Sequence, residues 1–210
     1  MTETRREKEL RFRRMHVAEA AEVLFAEKGF DGTTMDQLAL RAELSKSTLY
    51  TLFQSKDELL FFMHLVDARV GFEMLKGCAD SEKTGLARLA CYGRRLFEFY
   101  QRHPAKLRLR TFLDSRGVDR AKIAPQIQAE DRLHRYRERA LLQGILEVGI
   151  EDGSLRSDLD LEQVMLHFVY SLHAIAKQSL FPTHIFDLDP HESFANYLSL
   201  FLRGVRGQGE

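Results

Sequence analysis

The sequence predicts an all-α chain of about nine helices, a three-helix head at the N-terminus followed by a larger helical body. Three observations point there. Prolines number only four, the alternation of Val, Ile and Thr that marks strands is scarce, and apolar residues recur at three- and four-residue spacing along the chain. With 210 residues, 44% of them apolar, one large core or two smaller ones can be buried.

The helices can be placed in order. The first runs from about Thr4 to Lys28 and stops at Gly29, with Val17, Ala20, Ala21, Leu24 and Phe25 as its buried stripe. Thr34 caps the next, with Gln37 closing a capping box, and Met35, Leu38 and Ala39 turn inward. After a break at Ala42-Glu43-Leu44, Ser45 caps a second short helix that points Leu49, Leu52 and Phe53 to the core. Ser55-Lys56-Asp57-Glu58 reads as a complete capping box for a long helix reaching about Gly77. Asp80-Ser81 can start a helix through Tyr100, and Pro104 another. Pro125 opens a helix ending near Asp152-Gly153, and Asp160 caps one from Leu161 to about Leu180. Asp189-Pro190 opens the last, ending near Gly204, and the Gly-rich tail beyond is expected to fray.

Several functional classes are disfavoured. Cys78 and Cys91 lack metal-ligand spacing and suggest no disulfide framework. His167 and His173 are six apart on one helix and point about 240° apart, so they cannot chelate together. His184 and His191 have no acidic or cysteine ligands at a recognisable spacing. No nucleophile–base motif or phosphate-cradling glycine loop is present, so neither an enzyme, a metal site nor a cofactor is expected. The charged start, Thr2 to Arg14, is no signal peptide, and no apolar run approaches the ~18 residues of a membrane span. A cytoplasmic protein with no membrane partner is the expectation.

Charge does not announce a nucleic-acid binder: 31 basic residues meet 31 acidic ones, and residues 1–60 hold ten Lys/Arg against eleven Asp/Glu. Residues 34–53 nevertheless form a helix-turn-helix, two helices of about two turns joined by about three residues. Helices this short are marginal alone, so the apolar stripe of the first helix must hold them. The second then presents its polar face as a rigid probe. Lys46 and Ser47, in its first turn, can reach base edges in a major groove. Thr48, Tyr50 and Lys56 suit phosphate oxygens, and the Met35 helix N-terminus with Thr34 can hold another phosphate. A plain helical corner with a solvated polar face is the competing interpretation.

From Val17 to about Leu60 the chain resembles the TetR family of bacterial transcriptional repressors. The matching residues are Ala20-Ala21, Leu24-Phe25, Gly29-Phe30, Thr33-Thr34, Leu38-Ala39, Ala42, Ser45, Thr48-Leu49-Tyr50, Phe53 and Ser55 to Leu59. The resemblance implies double-stranded DNA as partner, with Lys46 and Ser47 at base-contacting positions and Thr34, Thr48, Tyr50 and Lys56 at phosphate-contacting ones. Thr51 would meet the backbone or a thymine methyl, and Ser45 belongs to the same surface. It also implies a homodimer on a palindromic operator, and a C-terminal domain whose small-molecule ligand pulls the heads out of register. On this basis residues 1–56 are a DNA-binding domain with a basic N-terminal arm, and 57–210 a ligand-binding and dimerisation domain.

Two positions depart from the family pattern. Glu43 stands where the turn usually has glycine, and a non-glycine residue in a left-handed conformation costs about 1 kcal/mol. Leu52 stands where a phosphate-contacting His or Tyr is common. Arg5, Arg6, Lys8, Arg11, Arg13 and Arg14 precede the match, interleaved with Glu3, Glu7 and Glu9. They suit an arm on phosphates or in a minor groove, or a solvated face of Glu/Arg pairs; Phe12 and Met15 give too little apolar face for a membrane anchor.

The body is rich in large apolar side chains. Phe72, Tyr92, Phe99, Phe112, Met165 and Phe168, with Tyr136 and His167 as buried polar groups, are candidates to line a cavity for a small apolar or aromatic effector. Any one of them is more readily explained as plain core. Ser171, Ala174 and Ile175 on one helix, and Tyr197 and Phe201 on the last, form stripes that suit a homodimer interface. The alternative function is a helical adaptor on the same fold that binds a protein partner, which the neutral head, Glu43 and Leu52 favour.

Overall fold

The computed structural model describes residues 4–180 and 189–207. Its helices are α1 (Arg5–Lys28), α2 (Met35–Arg41), α3 (Lys46–Leu52), α4 (Lys56–Lys76), α5 (Cys78–Ser81), α6 (Gly85–Arg102), α7 (Pro104–Arg116), α8 (Pro125–Glu151), α9 (Leu161–Gln178) and α10 (Pro190–Val205), with a 3-10 turn at Arg120–Lys122. Setting aside the one-turn α5, the described residues form nine α-helices. His184 lies outside the described residues.

Most boundaries follow local chemistry. Thr4 caps α1 in a capping box with Glu7, and α1 ends at Gly29, whose φ of 73° a side chain would resist. Thr34 and Gln37 form the box that opens α2, and Ser45 caps α3. Pro104, Pro125 and Pro190 each begin a helix, where the missing N–H costs no bond.

Three boundaries differ from those the sequence predicts. The helix expected from Asp80-Ser81 instead starts at Gly85 under a Thr84 cap, and Cys78–Ser81 makes a separate turn. The capping box at Ser55 is half made: Ser55 Oγ accepts from Glu58 N, whereas the Glu58 carboxylate reaches Gln54 N and Ala124 N. The tail does not fray directly after Gly204. Arg156 N donates to Val205 O and Gly207 N to Ser154 O, so an antiparallel bridge at Leu155 and Arg206 ties it down.

By packing, the chain divides into two compact units. One comprises residues up to Leu65 together with Arg116–Glu130; the other comprises Val66–Ser115 and residues from Asp131 on. The division of packing falls after Leu65 rather than after residue 56, because α4 supplies Leu59, Leu60 and Phe62 to the first unit's core. In that unit Val17, Ala21, Leu38, Leu49 and Phe53 close over one another, which fixes two helices too short to stand alone. Arg14 joins them, buried with its guanidinium 5.8 Å over the Phe53 ring, so it is not part of the solvated arm. Burial lowers its pKa, opposed by the charges of Glu130 and Glu58. The rest of the arm is the first turns of α1, where Arg13 pairs with Glu9.

In the second unit α6 packs on α9 and α10. Phe97 stacks on Phe194 with centroids 4.1 Å apart, and Phe168 sits between Tyr92 and Phe201. Burying each such ring stabilises by about 2–3 kcal/mol. Among the described residues no helix is long and apolar enough to cross a membrane, and no group of three His, Cys, Asp or Glu could hold a metal ion.

Candidate nucleic-acid interface

The first unit positions its polar residues through the turn between α2 and α3. Leu44 N donates to Ala39 O and Glu43 N to Leu40 O, a Schellman motif whose left-handed residue is Glu43, at φ 53°. The turn thus keeps the shape glycine favours and carries the strain of a side chain. Glu43→Gly relieves about 1–2 kcal/mol of that strain and returns part of it as unfolded-state entropy. The expected outcome is a melting temperature about 2 °C higher; a lower one would show that the Glu43 side chain stabilises the turn.

From this turn α3 emerges with Leu49 and Leu52 buried and the opposite face open. Leu52 therefore serves the core. Ser45 Oγ accepts from Thr48 N and lies 2.7 Å from Thr48 Oγ1 and 3.0 Å from Ser47 Oγ, so three hydroxyls cluster at the helix N-terminus. Clustered hydroxyls beside free backbone N–H groups are suited to anionic oxygens. Thr51 Oγ1 donates back to Thr48 O, which leaves its methyl and oxygen lone pairs as the outward features. Tyr50 is exposed, as is Thr34 at the start of α2.

Two cations behave otherwise than their positions in the sequence suggest. Lys46 lies on the exposed face but is paired with Asp36 of α2 at 2.8 Å, and that carboxylate raises the ammonium pKa. Asp36 sits in the first turn of α2, where an acid is favoured, and its partner ten residues on is set by the turn rather than by local sequence. Lys56 is turned away from an anchoring role: its ammonium donates to Phe30 O at 2.7 Å and Thr33 O at 2.6 Å, 4.5 Å from the Phe30 ring centroid. In this arrangement it ties the α1–α2 turn to the start of α4. Arg116 stacks on the same ring and bonds Asp57 and Asp31. Nothing in local sequence pairs residues so far apart.

The residues expected to line an effector cavity do not gather. Tyr136 is 71% exposed and His167 is exposed, so neither is a buried polar group; both face outward from their helices. Phe72 packs edge-on to His134, and Phe99 against Tyr100 and His103. Phe112 is half-buried, and Phe168 is part of the core. Tyr92 and Met165 do share a cleft of about 370 Å³ in the second unit, lined also by Leu142, Leu166 and Val169 and by Arg135, Glu138, Arg139 and Glu162. Burial, and next the Glu138 charge, push the Tyr92 phenol well above its usual pKa, so it stays a neutral donor. Nearby Tyr100 O–H donates to His173 Nε2, whose Nδ1–H donates to Val169 O. Of the polar groups expected to orient a ligand, Tyr92 alone lines this cleft, and the charged groups beside it are Arg135, Glu138, Arg139 and Glu162.

On α9 and α10 the expected interface residues are split. Ala174 is exposed, but Ser171, Ile175, Tyr197 and Phe201 are half-buried, with Phe201 packed on Phe168. The outward row is instead Leu166, Tyr170 and Ala174, with Leu200 on α10; Tyr170 is 70% exposed. Its four-residue spacing was visible in the sequence, but spacing does not say which of two adjacent stripes faces out.

Comparison with known proteins bears on this arrangement. Residues 17–62 match the family model described as bacterial regulatory proteins, tetR family. The repressor KstR2 of Rhodococcus jostii is 29% identical over 175 residues, 71% of each chain. Among solved structures, the ketosteroid regulator KstR2 of Mycobacterium tuberculosis superposes with a TM-score of 0.64 at 23% identity, covering 93% of this chain and 96% of that one. FadR of Bacillus subtilis, in complex with stearoyl-CoA, gives 0.69 at 18% identity, covering 91% and 99%. The three-helix head over residues 17–62 thus matches the tetR family of bacterial regulatory proteins, and the chain as a whole shares the fold of solved regulators of that kind.

Proposed function

We propose that the protein is a ligand-responsive repressor in the cytoplasm that binds a palindromic operator as a homodimer and leaves it when a small apolar molecule binds. The observation that carries this reading is α3, a seven-residue helix with a fully buried underside and a face of Ser45, Lys46, Ser47, Thr48, Tyr50 and Thr51. Residues 1–56 supply the DNA-binding surface and 57–210 the effector and dimerisation functions. Lys46 and Ser47 meet base edges, while Thr34, Thr48 and Tyr50 meet phosphates. Lys46 is preset by Asp36 and exchanges that carboxylate for a base acceptor on docking. Lys56 acts by holding the α1–α2 turn.

The outward row of Leu166, Tyr170, Ala174 and Leu200 supports pairing of two copies, which places two heads on half-sites about one helical turn, ~34 Å, apart. An apolar effector agrees with the relatives, one described as a ketosteroid regulator and another bound to stearoyl-CoA. The mixed apolar and charged lining of the Tyr92–Met165 cleft fits a ligand with an apolar body and a polar end.

Selection of bound fragments from genomic DNA at low salt tests the reading, and enrichment of a palindrome is expected. With that fragment, Lys46→Ala should weaken binding roughly tenfold and relax base preference, whereas Lys56→Ala should weaken all sequences alike and also lower the melting temperature. No enrichment would overturn the repressor reading in favour of an adaptor that binds protein.

A further inference from the structure

The second unit also contains a thiol pair that neither DNA nor effector binding uses. Cys78 opens α5 and Cys91 lies inside α6, and they are the chain's two cysteines. Their Sγ atoms are 2.6 Å apart, inside van der Waals contact though beyond the ~2.05 Å of a bond, and both are free thiols. Both are buried in the apolar core that includes Leu75 and Leu89; Cys78 is wholly covered and Cys91 slightly open. Ser81 Oγ lies 3.5 Å from Cys91 Sγ. Neither thiol belongs to a metal-binding group among the described residues.

We propose that Cys78 and Cys91 are a redox-modification site, closed by a hydroperoxide into an intrachain disulfide that ties α5 to α6. The less covered sulfur reacts first: the Cys91 thiolate attacks the peroxide, the O–O bond breaks, and a sulfenic acid and hydroxide form. Cys78 then attacks the sulfenic sulfur, and its proton leaves with the hydroxyl group as water. In total two thiols and one hydrogen peroxide give one disulfide and two waters. Burial, and next the Cys91 contact, push the Cys78 thiol up to about 12, which keeps it from being the first nucleophile and makes the closing step slow. The charges of Arg95 and Arg94 oppose that shift and steady the thiolate as it forms.

The ring so closed spans the α5–α6 joint, whose far side is already pinned by Gly85 N to Asp152 and Leu86 N to Ser154. Closing a loop of this length restricts the unfolded chain, so the oxidised protein should melt about 5–10 °C higher. The test is denaturing mass spectrometry of the full chain after incubation with hydrogen peroxide, with alkylation by iodoacetamide. The expected result is a loss of about 2 Da, no alkylation of either cysteine, and recovery of both thiols with dithiothreitol. Cys78→Ser should instead accumulate oxygen adducts on Cys91. Two alkylatable thiols after peroxide, a gain of oxygen without hydrogen loss in the native chain, or disulfides between chains would each overturn the proposal.

Discussion

Gly85→Ala is expected to lose about 3 kcal/mol or more, and with it most soluble protein. A Cβ at Gly85 would lie 2.2 Å from the Cα and N of Gly149 and 2.8 Å from Ile145 O, all of them α8 backbone that cannot rotate away. The first turn of α6 would have to lift from α8. Lifting it breaks the bonds from Gly85 N to Asp152 Oδ2 at 2.8 Å and from Leu86 N to Ser154 Oγ at 3.0 Å. Burial acts to raise the Asp152 pKa, but the hydrogen bonds from Ser154 and Gly85 together outweigh it and hold the carboxyl below its usual value. Gly144→Ala is the control, since a Cβ there meets nothing within 4 Å and should add about 0.5–1 kcal/mol of helix stability. Thermal melts of both variants check the pair; equal melting temperatures would show that the α6–α8 approach is looser than described.

Glu58→Ala is expected to cost about 2–5 kcal/mol, a fall of roughly 5–15 °C in the melting temperature. Glu58 is fully buried in the first unit, where its two oxygens accept from Gln54 N and Ala124 N at 2.6 Å each. Alanine leaves both N–H groups without an acceptor, and removes a negative charge whose field raises the pKa of the buried Arg14. Glu58→Gln keeps one acceptor oxygen and should lose about half as much. Because the lost contact holds residues 116–130 to the head, the proposed operator binding should weaken along with stability. Differential scanning calorimetry beside operator titration reads both, and an Ala variant that melts with the native chain would remove Glu58 from this role.

Much of the molecule was legible because its signals are local. Thr34 with Gln37, Ser45, Asp160 and Asp189 each declare a helix start within four residues, and the structure places helices behind all of them. The departure at Glu43 was legible too, since left-handed geometry is a property of one residue and its neighbours. The failures share another cause. Glu58 looks like half of a capping box until Ala124, 66 residues away, offers a second N–H. Lys56 looks like a phosphate anchor until Phe30 and Thr33 turn their carbonyls toward it. Tyr136 and His167 have the composition of pocket residues but lie on outward faces.

The order of helices, the helix-turn-helix, the inward side of α3 and the TetR resemblance were written in the chain, because spacing, capping and turn chemistry act over a few residues. Which cations are committed to protein partners, which stripe of α9 faces outward, and that Cys78 and Cys91 touch were settled by folding. Those outcomes depend on how segments distant in sequence meet, and burial and pairing are properties of that meeting rather than of any residue type.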